Sequence, residues 1–118
     1  MDIFKHITFH LCDTDEQIVN EWKQYFDDYP NFKFRHCDIF KVPIPENVTS
    51  AIISPANSFG DLQGGIDLAY YTKFGYELEV KVQQMIMEHK YGELVVGDAL
   101  IIDIPKKENM YLIIQTSV

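Results

Sequence analysis

Apolar and polar positions alternate near the start of the chain. Ile7, Phe9 and Leu11 share one parity and Thr8 and His10 the other, so residues 4–12 predict a β-strand. Asp13-Thr14-Asp15-Glu16-Gln17 then supplies a helix start, with Thr14 and Gln17 spaced as a capping box. Ile18, Val19, Trp22, Tyr25 and Phe26 follow at helical spacing, and Tyr29-Pro30-Asn31 ends that helix. Phe32, Phe34 and His36 alternate again, predicting a second strand that closes at Cys37-Asp38. After an extended stretch with Pro43 and Pro45, Ser50-Ala51-Ile52-Ile53-Ser54 reads as a short central strand, apolar on both faces.

The second half of the chain turns helical. Residues 66–74 predict a short helix and 76–89 a longer one, whose apolar stripe is Leu78, Val82, Met85, Ile86 and His89. Gly92 breaks it. Residues 98–104 and 110–116 predict two closing strands joined by a turn over 105–109. The order β-α-β-β-loop-α-α-β-β places the chain in the α/β class with a mixed sheet, and its 118 residues set the expectation of one domain. The chain ends at Val118 directly after an apolar strand, which predicts an uncovered edge and a homodimer through the C-terminal strand.

Charge narrows the function classes. Eighteen acidic residues against ten basic give a net charge of −8, and Lys106-Lys107, in the predicted turn, is the densest basic cluster. A face that grips nucleic acid or an acidic membrane needs the opposite balance, so neither is expected as a partner. An anionic small molecule remains open, because backbone N–H groups at a helix start bind phosphate without any cationic side chain. Cys12 and Cys37 lie near the ends of apolar stretches and read as free thiols, with no ligand spacing for a metal and no cofactor implied. No signal peptide or membrane-length apolar run opens the chain, and the expected compartment is the cytoplasm. His6, His10, His36 and His89 are scattered without ligand spacing, and the acidic pairs Asp27-Asp28 and Glu77/Glu79 read as solvated faces.

The segment with chemistry is Ser54-Pro55-Ala56-Asn57-Ser58-Phe59-Gly60-Asp61-Leu62-Gln63-Gly64-Gly65-Ile66-Asp67. A strand runs into a polar loop, the loop reaches two glycines, and a helix starts at once. Ligands of open α/β sheets sit beyond the C-terminal ends of strands, paired glycines admit a ligand close to the backbone, and a helix start offers unpaired N–H donors. Asn57 carries an amide suited to a sugar hydroxyl. The arrangement suits a phosphate-bearing nucleotide or sugar; a tight loop punctuated by glycines is the plain structural alternative.

This string resembles the macro domain, whose corresponding segment reads as an Asn-Ala-Ala-Asn stretch, a short loop, a glycine run and then Val-Asp opening a helix. Asn57 matches the second Asn, Gly64-Gly65 the end of the glycine run, and Ile66-Asp67 the Val-Asp. Upstream, Cys37-Asp38-Ile39 resembles the family's Gly-Asp-Ile; downstream, Val96-Gly97-Asp98-Ala99 resembles its Thr-Gly-x-Ala. Ser-Pro-Ala-Asn-Ser and Gly-Gly-Ile-Asp-Leu-Ala-Tyr are similar to bacterial-type variants. The resemblance implies a three-layer fold, a mixed sheet with helices on both faces, and binding of ADP-ribose or an ADP-ribosylated protein. It gives Asp38 and Ile39 to the adenine, Asn57 to the distal ribose, and the N–H groups of Gly64, Gly65 and Ile66 to the diphosphate. A hydrolase that removes ADP-ribose from proteins, or deacylates O-acetyl-ADP-ribose, is a second implied activity, with Asn57 and Asp67 as the available catalytic groups. A degenerate interaction domain without ligand is the third.

Asp38 also fits a turn at a strand end, Asp67 fits a helix first turn, and Phe59 and Tyr70 fit either a pocket wall or a core. Ser54 departs from the family's first Asn, the glycine run is short, and family members continue past the last strand here. The chain is therefore expected to be a fragment or a shortened form. The implied pocket has Asp38, Asn57 and Gly64-Gly65 at one edge of one sheet.

Overall fold

The structure, a computed structural model, describes residues 3–55, 62, 64–90, 93–95 and 97–115. The chain is α/β and forms two compact units, residues 1–45 and 46–118. No described helix is long and apolar enough to cross a membrane.

The first unit is a βαβ turn of chain. A 3-10 turn, Ile3–His6, precedes β1 (Phe9–Asp13), α1 (Glu16–Phe26) and β2 (Phe32–His36). β1 and β2 pair in parallel, from Phe9 opposite Phe32 to Asp13 opposite His36. The first strand is shorter than the alternation predicts, since pairing begins only where β2 supplies a partner and Phe9 N–H donates to Asn31 O at 2.9 Å. The helix cap also falls one residue later than expected. Asp15, not Thr14, is the N-cap, and its carboxylate accepts from Gln17 N–H at 2.9 Å. Phe32 gathers the aromatic side of this unit, with ring centroids 4.9 Å from Phe9, 5.2 Å from Phe26 and 5.5 Å from Tyr29. Cys12 and Cys37 are free and half-buried, and burial raises the Cys12 thiol pKa, with Cys37, Asp13 and Asp38 adding to the shift.

The second unit holds β3 (Ser50–Ser54), α2 (Gly65–Phe74), α3 (Tyr76–Lys90), β4 (Ala99–Asp103) and β5 (Met110–Gln115). Its sheet has the order β3-β5-β4, with β3 parallel and β4 antiparallel to β5. Two expectations are corrected here. β5 lies in the middle, paired on both sides, which corrects the expected open edge of the C-terminal strand; among the described residues β3, read as central, pairs with β5 alone. The turn Pro105–Asn109 folds β5 back between its neighbours, and sequence order does not disclose that insertion.

The two faces of this sheet differ. Ser54, Leu112, Ile114 and Ile102 lie on one face and are 0–1 % exposed, covered by helices whose core side chains are Tyr70, Leu78, Val82 and Ile86. The opposite face carries the cross-strand row Ile53, Ile113 and Ile101, with Ile53 54 % and Ile101 63 % exposed. Among the described residues of this unit, helices therefore cover one face and not both. Apolar residues on both faces of β3 suggested double burial, yet Ile53 is exposed among the described residues.

Candidate functional site

β3 delivers the chain to the start of α2, and three side-chain hydrogen bonds fix that delivery. Ser54, wholly buried at the end of β3, donates its hydroxyl to Asp67 Oδ1 in the first turn of α2. One turn on, the Tyr70 hydroxyl donates to Ile53 O at 2.8 Å, which places its ring in the core at 1 % exposure. From α3, Glu79 reaches the connecting segment and accepts from Leu62 N–H at 3.0 Å. The two ends of the β3–α2 connection are thus tied to the helical layer, one by each buried carboxylate.

Between those ties the backbone lies open. Gly64 is the N-cap of α2, has no side chain with which to cap it, and is exposed together with Gly65 and Ile66. The first helical bond runs from Leu68 N–H to Gly64 O at 3.3 Å, leaving the N–H groups of Gly65 and Ile66 without an intrahelical acceptor. No other acceptor for them occurs among the described residues. Gly65 has φ +57, the left-handed region that side chains disfavour; Gly64, at φ −144, is ordinary extended backbone. A Cβ placed on either glycine would meet no atom within 4 Å. Space around both glycines is therefore open.

Asp67 is 6 % exposed. Burial raises its pKa above the usual carboxylate range, against the opposing hydrogen bond from Ser54. A carboxyl held this way is a mechanical tie between β3 and α2, and it carries the perturbed titration often found in general bases. Tyr70 proves to be a core residue rather than a pocket wall.

The remaining sequence-predicted residues fall as follows. Asp38 is the exposed N-cap of a 3-10 turn, Ile39–Lys41, and its Oδ1 accepts from Phe40 N–H at 2.8 Å. Its turn-forming role is thus realised, and Ile39 beside it is half-buried. Asn57 and Phe59 lie outside the described residues. Asp38 and Ile39 belong to the first unit and Gly64, Gly65, Ile66 and Asp67 to the second, and the strands that precede these groups pair in different sheets.

Sequence reasoning missed Ser54 and Glu79. Glu77 and Glu79 were expected together on a solvated face; only Glu77 is exposed, pairing with Lys106 Nζ at 3.2 Å. Glu79 is 7 % exposed, and the readable signal was its position seven residues before Ile86, hence on the same side of α3. His89, read as part of the stripe, is exposed.

Among the described residues no three His, Cys, Asp or Glu side chains gather as metal ligands. Two concavities lie elsewhere: about 490 Å³ between α3 and Pro105, and about 910 Å³ beside Phe9, Phe26, Tyr29 and Phe32, flanked by Lys5 and Lys33. Searches of protein-family models and of curated proteins gave no match to this chain.

Proposed function

We propose that the start of α2 binds the diphosphate of ADP-ribose, free or attached to a protein, in the manner of a macro-type domain. One observation carries the reading: Gly64, Gly65 and Ile66 form an exposed, side-chain-poor helix start between two buried ties. The positive end of the helix and its unpaired N–H groups suit an anion, and they do so in a chain of net charge −8. In this proposal Asn57 meets the distal ribose and Asp38 and Ile39 the adenine. A three-layer fold, completed beyond the described sheet, and a cytoplasmic setting belong to the same proposal.

Calorimetric titration with ADP-ribose tests the reading. Saturable binding, weakened by excess ADP and not by adenosine, supports a diphosphate-centred site. Absence of heat with both ligands favours the interaction domain without a ligand.

A hydrolase is the second reading, favoured by the raised pKa of Asp67. Water attack on the ribose would use Asp67 to hold or take a proton and Asn57 to orient the sugar. Release of ADP-ribose from a mono-ADP-ribosylated protein, abolished by Asp67→Asn with binding retained, would establish it. Turnover unaffected by Asp67→Asn would remove Asp67 from the chemistry and leave it as a tie.

A further inference from the structure

We infer that Glu79 is a positioning residue: its buried carboxylate, by holding Leu62 N–H, fixes where the N–H groups at the start of α2 point. The inference rests on the proposed site only for its consequence in binding; the tether itself stands on geometry.

Gly64 and Gly65 have no side chains with which to anchor themselves, and nothing lies within 4 Å of where a Cβ would be. Their placement must come from what precedes and follows them. Downstream, Asp67 is tied to Ser54. Upstream, Leu62 is the nearest described residue with an anchor, and it has two: a side chain that is wholly buried and an N–H that donates to Glu79 Oε2 at 3.0 Å. The buried side chain fixes where Leu62 sits. The bond to Glu79 fixes the direction of its N–H, two residues ahead of Gly64.

Glu79 is itself firmly placed. It sits in the first turn of α3 between the buried Leu78 and Val82, on the helix that follows α2 after Gly75. A carboxylate at 7 % exposure is costly to bury unless hydrogen-bonded, so an apolar residue would serve packing better. The hydrogen bond from Leu62 N–H offsets part of that cost. α3 thereby helps set the geometry of a helix start to which it contributes no backbone.

The test compares Glu79→Gln with Glu79→Ala. Gln keeps an oxygen acceptor at the same reach; Ala removes it. Amide hydrogen exchange is read at Leu62, with Val82 and Ile86 in α3 as internal controls, and the orientation of the helix start is read from the backbone amide chemical shifts of Gly65 and Ile66. In Glu79→Ala, exchange at Leu62 should rise about tenfold or more relative to the controls and the Gly65 and Ile66 amide resonances should shift, whereas in Glu79→Gln exchange at Leu62 should stay within about threefold of the parent and those resonances should keep their places. Affinity for ADP-ribose should fall about tenfold in the Ala variant and recover in the Gln variant.

Unchanged exchange at Leu62 in Glu79→Ala would overturn the tether. Faster exchange at Leu62 with Gly65 and Ile66 unmoved would overturn the positioning role. Should the Ala variant not fold, Glu79→Asp, which withdraws the oxygen by one methylene, takes its place with the same two outcomes. A parent chain that does not bind ADP-ribose would remove the proposed function, and the exchange comparison would still decide the role of Glu79.

Discussion

Replacing one glycine at a time separates the needs of the fold from those of a ligand. Gly65 has φ +57, so Gly65→Ala forces a side chain into the left-handed region at a cost of about 1–2 kcal/mol. The lost flexibility of the unfolded chain returns about 0.4–1 kcal/mol, leaving a net loss of roughly 1 kcal/mol. For a chain of this size that is about 4 °C in melting temperature. Gly64 behaves differently. Its φ of −144 accepts any residue and an added methyl meets no protein atom, so Gly64→Ala should leave stability within about 0.5 kcal/mol or raise it slightly. The same methyl would stand where a phosphate must approach. Blocking one charge-assisted hydrogen bond is worth about 1.5–3 kcal/mol, at least a tenfold loss of affinity. Melting curves with calorimetric titration of ADP-ribose against both variants supply the data. Undiminished affinity in a folded Gly64→Ala variant would refute a backbone-contact site at the start of α2.

Other outcomes follow from the same structure. Asp38 caps a short turn, so Asp38→Ala should cost about 0.5–2 kcal/mol of stability even without ligand, checked by urea unfolding; Asp38→Asn should restore most of it. Asp67 has a folded pKa above its unfolded value, so its contribution favours folding at low pH and is lost as pH rises from the usual carboxylate range through the raised value. Asp67→Asn should flatten the fall in stability as pH rises above the usual carboxylate range, and an unchanged profile would contradict the assignment. On β4, Ile101→Lys should cost under about 0.5 kcal/mol because the side chain is exposed, whereas Ile102→Ala should cost about 2–5 kcal/mol in the covered layer. Equal losses at the two positions would mean that the exposed face is covered in solution.

How far the sequence disclosed this arrangement depended on whether local information was enough. β2 and β3 fall close to where alternation and composition place them, because Pro30-Asn31 precedes the first and Pro55 follows the second. α2 was legible from Gly64-Gly65 and the apolar residues that follow. The position of β5 between β3 and β4 was not, since strand order is set by long-range pairing rather than by period. Glu79 failed for a similar reason. A charged side chain reads as solvated until its partner is known, and that partner, Leu62 N–H, lies 17 residues away. Asp38 was read as either ligand group or turn former; the turn-forming role is visible in its bond to Phe40 N–H. The tie from Ser54 to Asp67 was hidden by a resemblance that drew attention to Ser54 as a departure and to Asp67 as chemistry.

The central claim is that the start of α2 takes the diphosphate. Titrating the isotopically labelled chain with ADP-ribose while following backbone amide resonances tests it most directly. The account predicts saturable shifts at Gly64, Gly65 and Ile66, larger than those at α3 amides such as Val82 and Ile86. Shifts confined to other residues, or no shift up to about 1 mM ligand, would contradict it.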